Sequence, residues 1–296
     1  MKRSTAKDFD PAVLQLFDRY VHGLISRREF LGSAARYATA GMSAGMLLEA
    51  LSPKFAQAQQ VAPQDPRIRT RFVEFPSPQG YGRVHAYLAE PAKAAGKLPA
   101  VLVVHENRGL NPHIEDIARR LALADFIALA PDALYPLGGY PGNEDAAREL
   151  FSKLDQSKTQ ADFLAAAAYL KTLPEGTGKV GAVGFCYGGG IVNFLATRIP
   201  DLAAGVPFYG SQPGAADAAR IKAPLLLHYA GADDRINAGW PAFEAALKAA
   251  GVDYQAYVYA GAQHGFNNDT TPRYDEPAAH LAWQRTLDFF NKHLRS

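Results

Sequence analysis

One cysteine, Cys186, is the only thiol in the chain, and its neighbours give it a chemical reading. It sits at the centre of Gly184-Phe185-Cys186-Tyr187-Gly188, a G-x-C-x-G turn between an apolar run and a helical segment. This is the pattern of a nucleophile turn with cysteine in the place of serine. The flanking positions must be glycine because a tight strand-to-helix bend leaves no room for side chains. A helix that starts at the sulfur favours thiolate over thiol, because its N-terminal partial charge is positive. A phosphate-binding reading of the same glycines fails. The Lys-Ser/Thr pair of a P-loop is missing, and the spacing is not G-x-G-x-x-G.

A cysteine nucleophile needs a base and an acid to orient it, and both follow in the expected order. The strand-like Leu225–Tyr229 runs into a loop carrying Asp233 and Asp234. Either can be the acid, or simply a turn or cap residue. Asp233 is the choice and Asp234 the alternative. After the last apolar run comes His264-Gly265-Phe266, with His264 as the base. The remaining histidines fit less well. His22 lies in the leading segment, His228 reads as a satisfied core histidine, and His280 and His293 sit on the terminal helix. No histidine pair has metalloprotease spacing, so no metal site and no cofactor is expected.

The elements that must position these residues alternate. Thr70–Phe75 and Arg83–Ala89 read as a hairpin, followed by strands at 99–105, 126–130, 179–185, 203–208, 224–229 and 254–259. Helical patterns lie between them, ending in a long helix over 277–293. Such alternation predicts an α/β fold, a mostly parallel sheet covered by helices on both faces. With 296 residues and a net charge of +2, one large domain over 68–296 suffices. The absence of a basic block argues against a nucleic-acid partner.

The leading residues read differently. Ser26-Arg27-Arg28-Glu29-Phe30-Leu31 resembles a twin-arginine export motif. An apolar run over 37–51 and the A-x-A-like Ala56-Gln57-Ala58 follow. The expectation is an export signal over 1–58, cleaved after Ala58, a linker over 59–67, and a periplasmic enzyme without a stable membrane anchor. A cytoplasmic protein with an uncleaved helical extension is the alternative.

Taken together, Gly184–Gly189, His105-Glu106-Asn107-Arg108-Gly109-Leu110-Asn111, Ala130-Pro131-Asp132 and His264-Gly265-Phe266 resemble the dienelactone hydrolase family. The resemblance spans roughly residues 68–294. It implies an α/β-hydrolase fold, hydrolysis of a small-molecule ester or lactone, and a Cys186–Asp233–His264 triad. It also implies that Glu106 pairs with the resting thiol and swings away when substrate binds. The oxyanion hole is expected from the backbone N–H groups of Tyr187 and Asn107. The substrate-carboxylate arginines of the family have no clear counterparts, and Arg108 and Arg273 are the candidates. A peptidase or acyltransferase on the same fold, or a non-catalytic binding protein, are the competing readings.

Overall fold

A computed structural model describes residues 4–38 and 42–295. Residues 39–41, near the start of the expected apolar run, and the extreme ends of the chain lie outside the described residues.

Four helices come first: α1 (Pro11–Val21), α2 (Arg27–Ala34), α3 (Ala44–Leu51) and the short α4 (Phe55–Ala58). The sheet begins with β1 (Ile68–Ser77) and β2 (Gly82–Pro91), an antiparallel hairpin. Then come β3 (Leu98–Val104), α5 (Pro112–Leu123), β4 (Ile127–Pro131), α6 (Glu144–Phe151), α7 (Gln156–Lys171), β5 (Gly176–Phe185) and α8 (Tyr187–Arg198). The chain closes through β6 (Ala204–Phe208), α9 (Ala215–Ala218), β7 (Leu225–Ala232), α10 (Asp234–Asn237), α11 (Trp240–Ala250), β8 (Tyr254–Gln263) and α12 (Glu276–Leu294).

The eight strands form one sheet in the order β1-β2-β4-β3-β5-β6-β7-β8. β1–β2 and β2–β4 pair antiparallel, and the others pair parallel. The central strands are nearly continuous apolar runs because both faces are covered. One face packs on Phe163, Leu170, Val192, Leu195, Phe243 and Leu247 from α7, α8 and α11. The other packs on Ile114, Ile117, Leu121, Phe289 and Phe290 from α5 and α12. Strand order reverses beside β3, so the loops after β3 and β5 flank the crevice where ligands bind in open α/β sheets.

The leading segment is folded. Val13, Leu14, Phe17, Tyr20, Phe30, Leu47 and Leu51 form a core of their own, built from the apolar stripe of α1 and the helices that pack on it. Polar anchors fix this subassembly to the sheet domain. Tyr20 and Arg27 both bond Asp145, the Lys54 amide donates to the Thr270 carbonyl at 2.8 Å, and Ala58, at the expected cleavage point, is buried. Residues 59–67, read as a linker, are pinned too. The amides of Gln60 and Val61 donate to the Asp116 carboxylate at 3.1 and 2.9 Å. Leaving residues 1–58 out of the fold therefore misses part of the architecture. No described helix is long and apolar enough to cross a membrane.

Candidate active site

The turn between β5 and α8 holds Cys186 at φ 55°, ψ −112°, a strained conformation for a residue with a side chain. The glycines around it are sterically required. A Cβ on Gly184 would lie 2.2 Å from the Gly188 carbonyl oxygen, and one on Gly188 would lie 2.3 Å from that of Val104. The bend thus works only when helix and strand touch through bare backbone. The Tyr187 amide opens α8, and first-turn amides have no acceptor within their helix.

His264 follows β8, with its Nδ1–H donating to Asp233 Oδ2 at 2.5 Å. Asp233 is buried, caps α10 through the Ile236 amide (3.4 Å) and faces the imidazole, whereas Asp234 is exposed. One side chain thus caps α10 and also pairs with the imidazole. With Nδ1 engaged, Nε2 of His264 is left for the sulfur. One ring nitrogen of His264, one of His22 and the Cys186 sulfur lie within 4.8 Å of one another.

His22 was not expected here. It sits just past the C-terminus of α1, and its Nε2 lies 3.4 Å from Cys186 Sγ. Its Nδ1–H donates to the Asp18 carbonyl at 2.7 Å and stands 3.3 Å from the Asp18 carboxylate. Its ring meets that of His264 edge-on, with centroids 4.7 Å apart. The sequence signal was an Asp-x-x-x-His pair one turn apart on an amphipathic helix, which means little until the helix is docked.

Electrostatics follow from this crowding. Burial pushes the Cys186 thiol up, but His264 and His22 outweigh it and bring it down to about 5. Burial disfavours the His22 imidazolium, yet the sulfur and Asp18 raise it to about 10. His264 is raised as well: burial opposes its charge, while Cys186 and Asp233 favour it and His22 partly counters them.

The other expected residues divide. Glu106 lines the same cavity as the sulfur, but its carboxylate accepts from Asn268 Nδ2 at 2.8 Å, and the thiol's partner is His22. Asn107 and Arg108 also line this cavity, and both bind the leading segment. Asn107 Nδ2 and Arg108 Nη2 donate to the Val21 carbonyl at 2.9 and 3.0 Å. Arg273 reaches Asp18 (3.5 Å) and lies over the Phe17 ring. Both candidate substrate arginines thus spend bonds on α1 and the residue ending it. His228 is a core histidine between Thr286 (3.2 Å) and the Tyr259 hydroxyl (2.9 Å). The cavity at the sulfur is about 430 Å³, with a second of about 400 Å³ on the other side of His22 and Cys186.

A family profile described as the dienelactone hydrolase family matches residues 84–294, which carry the whole sheet from β3 to β8 and the turn that holds Cys186. The chain belongs to the dienelactone hydrolase family. It is thus a member of a family of ester and lactone hydrolases. A second profile, described as YqhI-like, matches residues 1–38. A carboxymethylenebutenolidase-like protein of Yersinia pestis is 34% identical over 222 residues, covering 70% of this chain and 83% of its own. A hydrolase fragment of Escherichia coli, YghX, is 56% identical over 114 residues, 38% of this chain and 97% of that one. Among solved structures, a dienelactone hydrolase-like protein of Klebsiella pneumoniae aligns with a TM-score of 0.69 at 31% identity, over 76% of this chain and 99% of that one.

Proposed function

We propose that this hydrolase cleaves a small carboxylic ester or lactone through Cys186, with His264 as base and Asp233 orienting it. The observation that carries the reading is the 2.5 Å Asp233–His264 bond facing a strained cysteine at the rim of a cavity. The thiolate attacks the carbonyl, and the developing oxyanion lies against the Tyr187 amide and, from the loop after β3, that of Asn107. Acylation removes the negative charge from sulfur. His264, neutral in the acyl-enzyme, takes a proton from the water that hydrolyses the thioester. Glu106 lines the same cavity as the sulfur and, in this reading, moves from Asn268 when substrate enters. Arg108 and Arg273 line the cavity beside the carboxylates of Glu106, Glu144 and Asp145, and in this reading they are the groups that would meet a substrate carboxylate.

The packing of residues 11–38 and 42–61 supports an enzyme that keeps its leading segment, rather than one exported and cleaved after Ala58. Intact mass and fractionation of the native protein decide between these. The nucleophile is tested with Cys186→Ala and Cys186→Ser on p-nitrophenyl esters, dienelactone and small peptides. Ester and lactone turnover should vanish in the alanine variant, and a short incubation of wild type should leave an acyl mass on Cys186. Wild-type rates in Cys186→Ala would overturn the reading, and peptide cleavage without ester cleavage would move it to a peptidase.

A further inference from the structure

Two carboxylate–imidazole pairs converge on one sulfur. Asp233–His264 comes from the loops after β7 and β8, while Asp18–His22 comes from α1 and the residue after it, 164 positions before Cys186. The second pair is built, not incidental. Val21, next to His22, is held by Asn107 and Arg108, Arg148 donates to the Tyr20 carbonyl at 3.1 Å, and Arg273 stands beside Asp18. Nor does the segment plug the site. His22 is a wall shared by both cavities, and each still reaches Cys186.

We propose that His22 is a second catalytic histidine, supplied by the leading segment, which holds Cys186 as a thiolate and donates the proton to the departing oxygen. The proposal rests on the cysteine-nucleophile reading and extends it to residues that the sheet domain alone lacks.

The step balances. The Sγ–carbon bond forms as the carbonyl π pair moves to oxygen. When the intermediate collapses, the carbon–oxygen bond breaks, its electron pair stays on the leaving oxygen, and that oxygen takes the Nε2 proton of His22. Water then hydrolyses the thioester with His264 as base, the sulfur leaves with its electron pair, and the proton on His264 passes to His22. The acid product releases its own proton to solvent. Splitting the roles removes the need for one imidazole to be acid and then base within a single turnover.

The groups facing His22 determine its charge. Asp18 from α1 and the Cys186 sulfur favour the imidazolium. His264, and Arg235 of α10 at 3.2 Å, oppose it. Arg235 is exposed to solvent, which weakens its opposition. Arg273, against Asp18, tempers the carboxylate.

The test uses the full chain with His22→Gln, His22→Ala and Asp18→Asn. Thiolate absorbance, read as the difference from Cys186→Ala, should titrate near 5 in wild type and at least about one unit higher in His22→Gln, so that iodoacetamide alkylation at pH 6 falls at least about twofold. Asp18→Asn should shift the titration the same way by less. Turnover of lactones and alkyl esters should fall far more than that of p-nitrophenyl esters, whose leaving group departs without a proton. An unshifted titration together with equal losses on both substrate types would overturn the proposal. Cys186→Ala inactive beside a wild-type-like His22→Gln removes His22 alone, whereas an active Cys186→Ala removes the nucleophile itself. Should His22→Ala fail to fold, His22→Gln carries the test, since its amide keeps the size of the ring but cannot carry the proton.

Discussion

Gly188→Ala tests whether the nucleophile turn works by backbone contact between strand and helix. The added methyl would lie 2.3 Å from the Val104 oxygen and 2.7 Å from that of His105. Both are backbone atoms at the carboxyl end of β3 and cannot rotate away. Contact at a normal distance requires α8 and β3 to part by roughly 1 Å, and overpacking of this kind costs about 1–3 kcal/mol. At about 2 °C per kcal/mol for a chain of this size, the melting temperature should drop by about 2–6 °C. The larger effect should be on rate. Cys186 rides on the same turn, and a 1 Å displacement of a reacting group costs on the order of 100-fold. Ester kinetics, thermal melts and Cys186 alkylation would be read together, with Gly214→Ala as control, because a Cβ at Gly214 meets nothing within 4 Å. A Gly188→Ala enzyme that melts and turns over like the control would refute the steric account of the turn.

Other outcomes follow from buried charge. Asp116 accepts from the Gln60 and Val61 amides and pairs with Arg119 and Arg120. Asp116→Asn should therefore destabilise the protein by about 3 kcal/mol, and limited proteolysis should cut first near residues 59–67. Burial raises Asp269, but His113 and Arg120 outweigh it and hold its carboxyl well below the ordinary range. A depressed carboxyl contributes stability above its unfolded pKa, about 4, which is lost as pH falls toward its folded value. Melting temperature should thus decline below about pH 4, and less steeply in Asp269→Asn.

Much of the sheet domain was legible because its determinants are local. Strands with both faces covered are written as apolar runs, and helix α11 begins and ends where Trp240 and Gly251 predict it. The nucleophile turn is likewise local, since its glycines are demanded by atoms within a few residues or on the neighbouring strand. Local pattern does not separate Asp233 from Asp234. Both are acidic loop residues, and only the placement of α10 buries one and exposes the other. Glu106 lines the cavity that holds the sulfur, but its partner is Asn268, 162 residues away, beyond any spacing rule.

The leading segment marks the boundary most clearly. Paired arginines, an apolar run and small residues read as a leader because composition reports what a segment could do alone. Whether α1 is shed or docks depends on surfaces elsewhere: Asn107 and Arg108 after β3, Asp145 and Arg148 on α6, and Arg273 before α12. By itself the sequence determined a mostly parallel sheet with the chain's one thiol at a strained turn, since those follow from short-range sterics and hydrophobic period. Only the tertiary structure decided that a second imidazole meets that thiol, because burial and charge pairing between remote segments depend on how the finished surfaces fit.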